Sequence, residues 1–105
     1  MKNPGECSSL KDIRYEIDLL DKEMVNLLGR RLEYVLAASA FKKGEEDISA
    51  PDRVRSMLAQ RRAWARACGL AEDFVEKLFI RITDWYIATQ IGHWRQTYMP
   101  GRAGE

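Results

Sequence analysis

A chain of 105 residues with 46% hydrophobic content reads as one domain, able to fold around a core that is small for its surface. Its 17 Lys and Arg against 16 Asp and Glu leave a formal charge of +1, which gives no general drive toward nucleic acid or an acidic membrane. Cys7 and Cys68 match neither a disulfide framework nor a metal spacing and are expected as free thiols rather than one bridge; with no stretch as long as a membrane span and no signal-like apolar run in "MKNPGECSS", the expected location is the cytoplasm.

The pattern predicts three helices, the first of them very long, and nothing that reads as a strand, repeat or low-complexity tract. In "SSLKDIR" Ser9 is the expected N-cap, with Asp12 where a carboxylate meets the free N–H groups of the first turn. From there Ile13, Ile17, Leu20, Met24, Leu27, Arg31, Tyr34 and Ala38 recur in steps of four and three, a heptad-like seam. The seam carries the first helix over about 10–43. "KKGEEDIS" loses the period and is expected as a mobile loop over about 43–49. "SAPDR" restarts a helix over about 50–68, with Ser49 as cap, Pro51 in the first turn and Asp52 at the capping-box position, ending at Gly69. A third helix, about 71–98, begins at "AEDF" and carries Val75, Leu78, Ile82, Trp85 and Thr89 on one stripe.

A helix of over thirty residues is about 45 to 50 Å long, more than a globule of this mass covers by itself. Its seam therefore needs a partner helix, and pattern alone favours a coiled-coil-like homodimer. Arg31 is the exception within that seam. A guanidinium buried there costs several kcal/mol unless an anion meets it, which points either to an interhelical carboxylate or to an anionic ligand. Lys42 supports the ligand: eleven positions on, it differs from Arg31 by roughly 20° around the helix and lies about 16 Å along it, a gap two long cationic side chains can narrow around a small dianion.

The second helix adds to the positive field with Arg53, Arg55, Arg61, Arg62 and Arg66, with no acid between Arg53 and Cys68. Most of these are expected in solvent. Arg53 is the candidate among them, because it sits in the first turn, across the loop from Lys42, where a helix N-terminus favours anions. Nucleic acid, the competing explanation for an Arg-rich helix, fits poorly with a near-neutral chain that has no recognised binding motif. On the third helix Phe79, Tyr86 and Gln90 share a face, so the Gln90 amide points where the rings point. It can donate to a ligand's ether or carboxylate oxygen, or bond to a neighbouring helix. His93, the single histidine, reads as structural or solvent-facing, and the chain contains no nucleophile–base set, metal cluster or Gly-rich phosphate loop.

The segments "DIRYEIDLLDKEMVNLLGRRLEYV", "AFKKG", "APDRV" and "WYIATQ" resemble the all-α chorismate mutase family, whose fold is an intertwined three-helix homodimer with shared active sites. Within that family, "GRRLEYVLAASAFK", "APDRVRSML" and "WYIATQIGHWRQT" resemble the isochorismate pyruvate lyases that make salicylate for siderophores such as pyochelin. The resemblance implies cleavage of isochorismate to salicylate and pyruvate by pericyclic hydrogen transfer, with no cofactor and no metal. Carried over by position, it implies Arg14, Arg31, Lys42 and Gln90 as substrate-binding residues, with Arg53 as a further candidate and Lys42 and Gln90 placed near the breaking bond. Many mutases of the family have a Glu directly after the arginine that begins the second helix; here that place is Val54, which favours the lyase. Chorismate mutase activity, on chorismate as substrate, is the first alternative, and a non-catalytic helical dimer that binds a partner is the second.

Overall fold

The structure, a computed structural model, describes residues 2–98. It is all-α: a short 3-10 turn Pro4–Glu6, helix α1 Leu10–Ala37, a 3-10 turn Ala38–Phe41, and helices α2 Glu45–Ser49, α3 Pro51–Ala67 and α4 Glu72–Tyr98. The residues that length assigns to one domain divide into two compact units, with the boundary between Tyr34 and Val35.

The first unit is the N-terminal turn and most of α1. Ser9 caps the helix as its sequence implies: the Asp12 N–H donates to Ser9 Oγ at 3.1 Å. The reciprocal bond goes to the neighbour, since Ser8 donates both its N–H (3.1 Å) and its Oγ–H (3.0 Å) to Asp12 Oδ2. These bonds, the backbone one foremost, hold the Asp12 carboxyl below its ordinary value, helped by the charge of Lys2. No residue of α1 is buried. The seam residues Ile13, Ile17, Leu20, Met24 and Leu27 are 42 to 55% exposed, a continuous apolar row of the sort that marks an association surface. The long helix also closes earlier than the heptad pattern suggests. Regular α-helix stops at Ala37, and the chain tightens through the 3-10 turn before Lys42 takes an extended conformation (φ −94°, ψ 137°).

The second unit gathers the buried apolar residues Ile48, Met57, Ala65, Val75, Tyr86 and Trp94. The segment expected as a loop contains α2. Glu45, Glu46 and Asp47 supply negative charge to its first turn, and Ile48 is buried, so a single apolar anchor gives this stretch a tertiary reason to be helical that no periodicity could reveal. Ser49 is consequently the last residue of α2 and not the cap of α3. That cap position belongs to Ala50, in the left-handed region at φ 36°, ψ 62°, directly before Pro51, which disfavours right-handed helix at the residue preceding it.

α3 ends where the sequence places its stop. Leu70 N–H donates to Ala65 O (2.9 Å) and Gly69 N–H to Arg66 O (3.2 Å), the paired bonds of a Schellman motif, with Gly69 at φ 74°. A Cβ at Gly69 would meet no atom within 4 Å, so the cost of adding one is the backbone conformation alone. Gly69→Ala is expected to lower stability by about 1 to 2 kcal/mol. Chemical denaturation should show this as a shifted midpoint with an unchanged slope; an unshifted midpoint would mean that the turn tolerates an L side chain.

The turn sends α4 back antiparallel to α3, as the ladder of contacts between them requires. Arg66 binds Glu72 at 2.9 Å, Arg62 binds Asp73 and Glu76 at 2.9 Å each, and Arg61 lies 5.7 Å from the Phe79 ring centroid. Position on α3 falls as position on α4 rises. The buried stripe of α4 is Val75, Thr83, Tyr86, Gln90 and Trp94. The sequence stripe through Leu78, Trp85 and Thr89 is corrected by this: Leu78 and Trp85 are exposed and Thr89 bonds back to the Trp85 carbonyl at 2.8 Å. α4 is apolar on more than one face, so periodicity alone could not choose which one the unit buries.

Candidate functional site

The residues singled out by sequence fall in both units. Arg14 and Arg31 lie on α1, Arg14 exposed and Arg31 half-buried. Lys42, Arg53 and Gln90 belong to the second unit. Seventeen positions separate Arg14 from Arg31 on one continuous helix, about 26 Å along the axis.

Lys42 follows the 3-10 turn as a half-buried residue. Its N–H donates to Ser39 O at 3.1 Å, its ammonium donates to the Asp47 carbonyl oxygen at 3.0 Å, and its own carbonyl accepts the Trp94 indole N–H at 3.2 Å. The ammonium makes no ion pair with a carboxylate among the described residues. An ammonium has three donors, so one bond to a carbonyl leaves it able to meet an anion. Lys43 N–H donates to the Asp47 carboxylate at 2.9 Å, and Glu45 pairs with Arg95, so the segment bearing Lys42 is tied both to itself and to α4.

Gln90 is 5% exposed, and its Nε2 has no hydrogen-bond partner among the described residues. Leaving a buried amide donor unmade is costly, so this group is suited to an acceptor supplied from outside the chain. Of the two sequence readings for Gln90, a bond to a neighbouring helix and a bond to a ligand, the second agrees with this geometry. Two further buried hydroxyls, Ser39 Oγ and Thr83 Oγ1, are also without partners among the described residues. Neither stood out in the sequence, where a lone Ser or Thr carries no signal.

The cations of α3 sort themselves by neighbours that sequence spacing could not show. Arg62 is held above its ordinary pKa, first by its hydrogen bond with Asp73 and then by the charges of Glu76 and Glu72. Arg66 is raised and Glu72 lowered by the bond they share. Arg55 pairs with Asp52, and Arg61 stacks 4.5 Å from the Trp64 ring centroid. The expected positive field along this helix is therefore largely neutralised at its C-terminal half. Arg53, exposed in the first turn, makes no ion pair among the described residues, which leaves its guanidinium available to an anion.

Trp94 was missed by the sequence reading. The spacing that exposes it is simple: Tyr86, Gln90 and Trp94 recur every four residues on the buried face of α4.

Comparison with known proteins bears on what this set of groups does. A family model described as chorismate mutase type II matches residues 13–91. An isochorismate pyruvate lyase of Pseudomonas aeruginosa is 54% identical over 97 residues, covering 92% of this chain and 96% of that protein. T-proteins of Haemophilus influenzae and Enterobacter agglomerans are 39% and 37% identical over 70% and 74% of the chain, and the matched part is 20% of each of those longer proteins.

Proposed function

Starting from a chain that belongs to the chorismate mutase type II family, we propose that it is an isochorismate pyruvate lyase, which splits isochorismate into salicylate and pyruvate. The observation that carries the reading is the likeness to the Pseudomonas aeruginosa lyase, 54% identical along nearly the full length of both chains. The T-proteins align with it less closely and over a small part of themselves.

In the proposed reaction the C–O bond between the ring and the enolpyruvyl group breaks while a ring hydrogen passes to the methylene carbon of the departing group. Pyruvate leaves and the ring becomes aromatic. No acid–base pair is required, so the protein's work is to hold a dianion in a compact reactive conformer and to stabilise charge that grows on the ether oxygen. The guanidinium groups of Arg14 and Arg31, with Arg53, are assigned to the two carboxylates. Lys42 and Gln90 are assigned to the ether oxygen, roles supported by an ammonium without a carboxylate partner and a buried amide without an acceptor among the described residues. These assignments call for no cofactor or metal.

The working form is proposed to be a homodimer with shared sites. The exposed apolar row of α1 supports it, and so does the length of that helix, since one small dianion cannot touch both Arg14 and Arg31 of the same straight α1. A reducing cytoplasm fits the two free thiols, Cys7 and Cys68, and no helix among the described residues is long and apolar enough to cross a membrane. Salicylate so formed would serve siderophore assembly.

Purified protein given isochorismate should release salicylate and pyruvate in equal amounts, and given chorismate should form prephenate slowly or not at all. Prephenate without salicylate would identify a chorismate mutase, and inertness toward both would leave the non-catalytic dimer. Val54 gives a sharper test of selectivity. It is half-buried in the first turn of α3, next to Arg53. Val54→Glu or Val54→Gln should raise the ratio of mutase to lyase turnover by placing a polar group beside the substrate hydroxyl. A ratio equal to that of the wild type would locate selectivity elsewhere.

A further inference from the structure

We propose that Trp94 is a positioning residue for Lys42, acting through one hydrogen bond from its indole N–H to the Lys42 carbonyl oxygen. The proposal rests on the lyase reading, and it concerns how a flexible cation is kept at one point in space.

Lys42 lies just beyond the end of a 3-10 turn in extended conformation, where no helical ladder holds its peptide groups. On its N-terminal side the turn supplies a bond, Lys42 N–H to Ser39 O at 3.1 Å. On its C-terminal side the partner of the Lys42 carbonyl comes from 52 positions away, the Trp94 indole at 3.2 Å. Trp94 is 8% exposed, so its N–H has little access to water and this carbonyl is the acceptor it has. The donor is also rigid: the ring is packed in the buried stripe of α4, one turn beyond Gln90. The helix that carries the proposed neutral donor to the ether oxygen therefore also fixes the main chain of the proposed charged one. Coupling both groups to one rigid element holds their separation constant, which a site that stabilises a single growing charge needs.

Without the Trp94 bond the main chain of Lys42 loses its fixed position. A displacement of about 1 Å can cost on the order of 100-fold in rate. Trp94→Phe is expected to lower kcat for salicylate formation by about 10- to 100-fold with KM within about threefold, because the arginines still bind the carboxylates. Phenylalanine also leaves space in the core. A second variant separates that effect: β-(3-benzothienyl)alanine placed at position 94 keeps the bicyclic shape and replaces the N–H with sulfur. It should reproduce the kcat loss while lowering the thermal midpoint less than Trp94→Phe does, since only one hydrogen bond is lost and the packing is kept. In a Lys42→Ala background the same replacement should leave the residual turnover unchanged, since the group it positions is gone.

Wild-type kcat in the benzothienyl variant would overturn the proposal. So would a further equal loss in the Lys42→Ala background, which would show Trp94 acting by another route. If the wild-type protein forms no salicylate from isochorismate, the lyase reading falls first and the assignment falls with it.

Discussion

Lys42→Ala is expected to slow salicylate formation by roughly 10² to 10³-fold, the loss of about 3 to 4 kcal/mol that removing one oxyanion-type donor brings. The size follows from where charge develops. Isochorismate is a dianion before and during the reaction, so arginines in the proposed role would bind ground state and transition state alike, whereas the ether oxygen gains charge only as its bond breaks. An ammonium aimed there acts on the barrier. The structure indicates that truncation should spare the fold. Both main-chain bonds of Lys42, to Ser39 O and from Trp94, are independent of the side chain, and the one bond the ammonium makes is to the Asp47 carbonyl. Far-UV circular dichroism and the oligomeric state should therefore match the wild type. Lys42→His adds a test of charge, since an imidazole with an ordinary pKa of about 6.5 should support turnover in acid and lose it as the pH rises through neutrality. Near-normal turnover in Lys42→Ala would end the assigned role.

Activity should return when two inactive proteins exchange chains. Arg14→Ala and Lys42→Ala are each expected to be nearly inactive as homodimers. Unfolded together and refolded, about half of their dimers should be mixed. If Arg14 of one protomer serves the site that contains its partner's Lys42, each mixed dimer has one site with every group intact and one lacking both. Activity then rises by orders of magnitude over either parent, toward about a quarter of the wild-type level per chain. If Arg14 serves its own protomer's site, every site in the mixed dimer lacks one group and nothing returns. The about 26 Å that separates Arg14 from Arg31 along α1 argues for the first outcome. Mixed dimers verified by mass, yet as inactive as their parents, would rule out the shared site.

The features legible in the sequence are those whose causes are local. Ser9 and Asp12 mark the start of α1 because a cap is built within four residues, and Gly69 marks the end of α3 because only the chain's own turn demands φ 74°. The seam of α1 is readable for the same reason, a period repeated within one helix, and so is the shared face of Phe79, Tyr86 and Gln90. Local rules also explain the errors. Ser49 has the chemistry of a cap, but Ile48 is buried and Ser49 falls within α2, which packs on α4, more than twenty residues further along the chain. The arginines of α3 read as a positive field because the acids that neutralise Arg62 and Arg66 lie beyond the turn, and only antiparallel packing brings Glu72, Asp73 and Glu76 to them. The same holds at the candidate site. Residue type and helical spacing nominate Gln90, and likeness to a family adds Arg14, whereas the helical register that ties Lys42 to Arg31 does not survive, because α1 ends at Ala37 and Lys42 is extended. What tertiary structure alone decided is that the Gln90 amide is buried without a partner among the described residues and that the main chain of Lys42 hangs from Trp94. A hydrogen bond across 52 positions leaves no period or local composition in the sequence, because its two ends are selected by the packing of α4 and not by their neighbours in the chain.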